Sequence, residues 1–240
     1  MVLKNYVLVT GGGRRLGAEI CLALAEKGHA LLIHYYKQAD AAAEVAKKCR
    51  AIGVKAEAIS GDFSTQSSTQ QFVEACRARF LKVRSLVNNL GSYAAKSALE
   101  TTPEEWESLF QSNLHAPRML IDAFLPEIIE QKGRIITLGI AGVGVLQADV
   151  RRTAYRMAKT SLYLLTKALA RELAPQQVCV NMVSPGYLEN SVDLPGVWPV
   201  YSMQRPGLLK EAARVVAFLM EEESCYITGQ NIEVAGGVAL

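Results

Sequence analysis

Val7-Leu8-Val9-Thr10-Gly11-Gly12-Gly13-Arg14-Arg15-Leu16-Gly17 is the stretch whose reading decides the fold. An apolar run of strand length enters a glycine turn and leaves it as an amphipathic helix carrying Ile20, Leu22 and Leu24. A pyrophosphate needs that context: glycines let the backbone approach closely, and a helix N-terminus offers free N–H groups at the positive end of its dipole. The turn therefore reads as the first βα unit of a dinucleotide-binding sheet.

Outward from this unit, apolar runs of strand length alternate with longer stretches of helical period, as expected of a parallel sheet covered on both faces. The pattern predicts strands near 5–10, 30–36, 55–60, 84–88, 133–139, 178–184 and 231–234, with helices near 16–27, 39–52, 67–80, 103–130, 153–174 and 207–221. Pro103 with Glu104 and Glu105 opens one helix and Pro175 closes another. No linker interrupts the rhythm, so the expectation is one α/β domain over 1–240, a single Rossmann-like doubly wound parallel sheet of about seven strands. The exception is 187–206, broken by prolines yet rich in Leu, Val, Trp and Tyr, which reads as a substrate loop.

Composition narrows the partners. Twenty-six Lys+Arg against 23 Asp+Glu give a formal charge of +3, with the basic residues scattered rather than gathered, which argues against nucleic acid and membrane surfaces. The first strand begins so near Met1 that no room is left for a signal peptide, and no apolar run has the length of a membrane span. Cys21, Cys49, Cys76, Cys179 and Cys225 are odd in number, far apart and never in a CxxC pair. They fit neither a disulfide framework nor a zinc site, and read as small buried thiols of a cytoplasmic protein with no metal.

Nucleotide choice is legible at the end of the second strand, Leu31-Leu32-Ile33-His34-Tyr35-Tyr36-Lys37. An acidic residue there would pair with the ribose 2′-hydroxyl of NAD, and none occurs before Asp40. Lys37, with Arg14 and Arg15 in the first turn, instead suits the additional phosphate of NADP.

Tyr155-Arg156-Met157-Ala158-Lys159 sets a phenol and an ammonium one helical turn apart on one face. A phenol near pKa ~10 is a poor acid–base group at neutrality, and a nearby cation lowers that value. Tyr163 and Lys167 repeat the spacing, but Tyr163 lies among Leu162, Leu164 and Leu165 in mid-helix, where packing is its expected role. Tyr155 follows the loop leaving the fifth strand, at the carboxyl edge where open parallel sheets hold their ligands.

With these residues in order the chain resembles the short-chain dehydrogenase/reductase family over essentially its whole length. Thr10-Gly11 through Gly17 resembles its cofactor turn, Asp62 its adenine contact, Asn88-Asn89-Leu90-Gly91 its NNAG motif, and Asn181 with Pro185-Gly186 its nicotinamide border. The resemblance implies NADPH held by Gly11, Arg14, Arg15, Leu16, Gly17, His34, Tyr35, Lys37, Asp62, Phe63, Asn89, Leu90, Gly91, Tyr155, Lys159, Pro185, Gly186 and Leu188, with Leu194 and Trp198 in the substrate loop. It implies that Tyr155 donates a proton, that Lys159 holds the nicotinamide ribose and lowers the Tyr155 pKa, and that Asn113 positions a relay water. It also implies a homotetramer, or else a dimer, joined through the long helices near 103–130 and 153–174.

Three positions depart from the family pattern. Arg15 stands where many members have glycine, as in the pteridine-reductase branch, and Leu90 replaces the alanine of NNAG. The catalytic serine, aspartate in pteridine reductases, falls at Ile140, which cannot hydrogen-bond a carbonyl oxygen. Thr137 and Thr153 are the candidates for a substitute donor. The function expected is hydride transfer to a C=O or C=N bond of a small substrate. The loop 193–198 and His34 to Lys37 resemble pteridine reductases, while Ile232 to Gly237 resembles β-ketoacyl-ACP reductases, for which acyl carrier protein would be a partner. A third reading is an NADP(H)-binding protein whose catalysis has lapsed.

Overall fold

The computed structural model describes residues 4–79, 81–194 and 202–238. Seven parallel strands, β1 (Lys4–Val9), β2 (Leu31–Tyr35), β3 (Ala56–Ser60), β4 (Leu81–Asn88), β5 (Arg134–Leu138), β6 (Cys179–Pro185) and β7 (Asn231–Val234), lie in the order β3-β2-β1-β4-β5-β6-β7. The order reverses between β1 and β4, and a crevice opens there at the strands' carboxyl ends.

The strands are buried on both sides, and their alternation sorts side chains into two cores. Val7, Val9, Leu31, Ile33, Ile136 and Leu138 face helices α1 (Arg15–Glu26), α2 (Ala39–Ile52) and α7 (Leu209–Met220). Tyr6, Leu8, Leu32, Leu86 and Ile135 face α3 (Gln66–Ala78), α5 (Ala116–Glu130) and α6 (Thr153–Leu173). Each fully buried Leu, Ile or Val contributes about 1.5–3 kcal/mol of transfer free energy, so the two cores dominate the stability. Local signals set the helix ends. Gly53 ends α2 at φ 114, where L side chains are strained. Thr65 and Ser68 cap α3 reciprocally, and α4 (Pro103–Phe110) opens on the Thr102–Glu105 capping box with Pro103 in its first turn.

The helix expected over 103–130 is interrupted. After α4 comes a π-turn, Gln111–His115, and then α5. Pro117 has no N–H to return to the Asn113 carbonyl, so a regular α ladder cannot pass this point. The loop expected over 187–206 is a closed excursion at its base. Leu188 and Gly207 pair as a bridge, Gly207 N donates to Tyr187 O at 2.9 Å, and Glu189 N donates to Gly207 O at 2.8 Å. Trp198 lies outside the described residues. The thiols of Cys21, Cys49, Cys76 and Cys179 are buried as expected, but Cys225 is exposed, because it follows a short 3-10 turn at the surface rather than lying in a strand or helix core. Among the described residues no helix is long and apolar enough to cross a membrane.

Candidate active site

A cleft of about 630 Å³ runs along the carboxyl edge of the sheet. One end is walled by Gly11, Gly13, Arg14, Arg15, Leu16, Gly17, Tyr35, Tyr36 and Lys37, the middle by Asn89, Leu90, Gly91, Pro185, Gly186 and Leu188, and the other end by Tyr93, Ile140, Arg152, Tyr155 and Lys159.

The glycine turn is built for close approach. Gly11 has φ +62, which strains an L side chain, and a Cβ on Gly17 would stand 2.1 Å from the Gly11 carbonyl oxygen, so Gly17 accepts no side chain without displacing backbone. Thr10 and Asn89 lock the turn to β4: the Asn89 side-chain amide donates to Thr10 O at 2.9 Å, and Thr10 Oγ1 accepts from the backbone N–H groups of Asn89 and Leu90 at 2.9 and 3.0 Å.

His34 lies beneath this turn, fully buried, and outside the cleft wall. Its Nδ1 accepts from Gly11 N at 3.0 Å, so the ring proton sits on Nε2 and is donated to Gly61 O at 3.1 Å. Phe63 stacks on the ring at 4.1 Å and Phe72 meets it edge-on. Burial lowers its pKa from 6.5 to about 4, so it is neutral. Phe63 is buried against His34, and the Asp62 carboxylate accepts from Ser64 N at 2.9 Å, closing the turn after β3. Three residues expected to touch a cofactor thus act, in this structure, on the turns that would hold it.

Arg15 has φ 52, a conformation that suits glycine, and its guanidinium donates to the Asn190 carbonyl in the substrate loop. Lys37 lies over the Tyr36 ring at 4.9 Å. Among the described residues neither Lys37 nor Arg14 has a carboxylate partner, so both charges face the cleft uncompensated.

At the other end three elements converge. The buried Asn113 is carried by the π-turn, and its amide nitrogen donates to Ser92 O and Leu109 O, both at 2.9 Å. Its Oδ1 has no hydrogen-bond partner among the described residues. A Cβ on Gly91 would lie 2.2 Å from that Oδ1 and 3.4 Å from Lys159 Nζ, so the glycine leaves room where the two atoms face each other. Lys159 is buried, donates to Leu138 O at 2.7 Å, and burial lowers its pKa from 10.5 to about 8.

Tyr155 stands on the same face of α6, its ring 5.9 Å from Lys159 Nζ and edge-on to Tyr93 at 5.0 Å. Here the sequence expectation is corrected. Burial raises its pKa from 10.0 to about 12, against the Arg152 charge, which lowers it, and Asp193 adds to the rise. Lys159 is turned toward the β5 carbonyl, and burial weakens its own hold on a proton. Tyr163 and Lys167 lie outside the cleft, Lys167 over the Tyr163 ring at 5.3 Å.

Ile140 lines the cleft and packs toward Val143, Leu162 and Met182. Neither threonine suggested as a substitute reaches it. Thr137 is buried, hydrogen-bonded to Thr166 Oγ1 at 2.8 Å, and Thr153 donates to Asp149 O at 2.8 Å at the start of α6.

Sequence reasoning missed the groups that frame the reacting end. Tyr93 donates to Asp193 Oδ2 at 2.5 Å, tying the loop after β4 to the loop after β6. Arg156, inside the Tyr155–Lys159 motif, is buried and donates to Gly142 O and Val145 O at 2.8 and 3.0 Å, while Glu233 accepts from Gly142 N at 2.9 Å. The loop carrying Ile140 is therefore pinned from two sides. The legible signal was Arg152, a cation immediately before the helix that carries Tyr155.

The comparisons agree with this geometry. The family model described as enoyl-(acyl carrier protein) reductase matches residues 13–239. A putative oxidoreductase, YtkK, of Bacillus subtilis is 30% identical over 98% of this chain and 96% of its own. The 3-oxoacyl-(acyl-carrier-protein) reductase FabG of Staphylococcus epidermidis is 31% identical over 98% of this chain and 99% of its own. Among solved structures, a blue fluorescent protein from a metagenomic library in complex with NADPH superposes with a TM-score of 0.90, at 29% identity over 98% of both chains. The chain belongs to the short-chain dehydrogenase/reductase family, whose members of this kind are oxidoreductases.

Proposed function

We propose that this chain is an NADPH-dependent carbonyl reductase in which Tyr155 is the general acid. The observation that carries the reading is the cleft itself: Arg14 and Lys37, without carboxylate partners among the described residues, at one end, and Tyr155 and Lys159 at the other, with the buried Asn113 Oδ1 behind Gly91. Its walls fit the cofactor. Gly11 and Gly17 admit the pyrophosphate against the N-terminus of α1, Arg14, Arg15 and Lys37 take the 2′-phosphate, and Lys159 with Asn89 to Gly91 borders the nicotinamide ribose. The structural relative holding NADPH supports the same choice. When bound, NADPH supplies the hydride.

The residues of the chain handle the proton. Tyr155 Oη gives its hydrogen to the carbonyl oxygen as negative charge develops there. Its high pKa keeps it protonated near neutrality, which suits a reductase. Lys159 Nζ and Asn113 Oδ1, facing one another across Gly91, hold the water through which the phenolate regains a proton.

A β-ketoacyl thioester is the substrate to try first, in view of the FabG likeness, and dihydropterins second, for the resemblance in the substrate loop. The five unpaired thiols suit a reducing cytoplasm. NADPH oxidation measured side by side with an acetoacetyl thioester, dihydrobiopterin, dihydrofolate and quinones tests the reading. Turnover of at least one, abolished by Tyr155→Phe, is expected. Ile140 favours a second reading, a cofactor-binding protein without catalysis, and NADPH binding with no turnover across the panel would establish it.

A further inference from the structure

We propose that Arg152 donates the hydrogen bond to the reacting carbonyl oxygen in the place left by isoleucine at 140, so that a fixed cation rather than a hydroxyl stabilises the developing alkoxide. The proposal rests on the reductase reading above. In the step concerned the carbonyl carbon gains hydride from the reduced nicotinamide, the C=O π pair moves to oxygen, and that oxygen takes the Tyr155 proton.

Elimination narrows the donors. Among the described residues of the reacting end, Tyr93 OH is committed to Asp193, Asn113 Nδ2 to two carbonyls, and Lys159, anchored on Leu138 O, has its remaining N–H bonds assigned to the ribose and the relay water. Ser92 and Ser112 are bonded to each other at 2.5 Å. Gln147 also reaches the cleft but stands on an exposed loop with nothing to fix it.

Arg152 is held for the task. Asp149 accepts its own fix from the backbone N–H groups of Arg151 and Arg152, both at 3.1 Å. It then grips one edge of the guanidinium, Nε at 3.2 Å and Nη2 at 3.0 Å, through the single oxygen Oδ2. Nη1 makes no protein hydrogen bond among the described residues and belongs to a side chain lining the cleft, 29% exposed. A cation at the N-cap of α6 opposes the helix dipole, and the Asp149 pair offsets that cost. A preorganised donor of this kind is what the transition state requires.

The charged and titratable groups around Tyr155 are Arg152 at the N-cap of α6, Lys159 on α6, Tyr93 after β4, and Asp193 and Tyr187 after β6. Arg152 draws the Tyr155 pKa down while burial and Asp193 raise it. Removing Arg152 therefore moves the alkaline limb of the reductase pH profile to higher pH.

The test uses the full-length protein, NADPH and a substrate the panel identifies, with Arg152→Gln, Arg152→Lys, Ile140→Ser and the double variant. Arg152→Gln should lower kcat by about 10²–10³, leave the NADPH dissociation constant unchanged and displace the alkaline limb upward. Arg152→Lys should retain part of kcat. Ile140→Ser should restore most of kcat in the Arg152→Gln background while the limb stays displaced. Arg152→Gln with wild-type kcat and pH profile overturns the proposal, as does a loss that neither Arg152→Lys nor Ile140→Ser repairs. A wild type that turns over nothing in the panel overturns the reductase reading and this one with it, whereas turnover indifferent to Arg152 overturns this one alone.

Discussion

Arg15 concentrates the cost of the cofactor end in one residue. A left-handed backbone costs an L side chain roughly 1–2 kcal/mol, and such strain is tolerated where function needs it; Arg15 at φ 52 keeps a guanidinium on the substrate loop and in the cleft. With Arg14 and Lys37 lacking carboxylate partners among the described residues, the local field favours a 2′-phosphate. Direct titration should give NADPH a far lower dissociation constant than NADH, and Lys37→Asp should narrow the gap by about tenfold or more, since one charge is lost and the opposite one gained. Comparable constants in the wild type would contradict this. Tyr155 and Tyr163 form the second contrast. Tyr155→Phe should abolish turnover and leave NADPH binding intact, because only its hydroxyl reaches the carbonyl, whereas Tyr163→Phe should alter stability alone. The opposite pattern in kcat would exchange their roles.

At the scale of elements, the reacting end depends on joints between loops rather than on the sheet. The π-turn at Gln111–His115 delivers Asn113, and Pro117 forces the break in the helix that makes it. The Tyr93–Asp193 bond joins two loops across the mouth, and the base of the 187–207 excursion is fixed by its own backbone pairing. Tyr93→Phe keeps the ring against Tyr155 but removes the bond to a carboxylate, a contact of roughly 1.5–3 kcal/mol when shielded and less at this exposed mouth. KM for the carbonyl substrate should rise several-fold in steady-state kinetics while kcat falls little. An unchanged KM would mean the loops hold without the tie.

For the whole molecule, stability is coupled to pH through His34. Its pKa is about 4 in the fold against 6.5 when unburied, so the folded state binds fewer protons than the unfolded one between those values. The contribution is complete above pH 6.5 and is lost as pH falls toward 4, amounting to about 3 kcal/mol at the acid end. Urea unfolding should show a midpoint that falls over this window, with a flatter dependence in His34→Gln; identical slopes would remove His34 as the cause. Assembly belongs to the same scale. Met157 and Leu164, seven residues apart on one face of α6, are exposed at 47% and 61%, a surface that suits burial against a second copy. A homotetramer, or failing that a dimer, is expected in light scattering at micromolar concentration, and a monomer would count against it.

The amino-acid sequence by itself determined every strand and the glycine turn, because alternation, glycine spacing and capping are local properties that act within a few residues. It also determined the Tyr155–Lys159 spacing, which one helical turn converts directly into a shared face. What only the tertiary structure decided is which charges act on which groups. His34 reads like a cofactor residue along the chain, yet the packing of Phe63 and Phe72 turns it under Gly11. Lys159 reads like the cation that tunes Tyr155, yet its ammonium is turned to Leu138 O, and it is the Arg152 charge that draws the Tyr155 pKa down. Tyr93 meets Asp193 across 100 residues. Electrostatics falls off with distance in space and with burial, neither of which has a period along the chain, so the frame of this site is written locally and its chemistry is set by contacts the fold alone brings together.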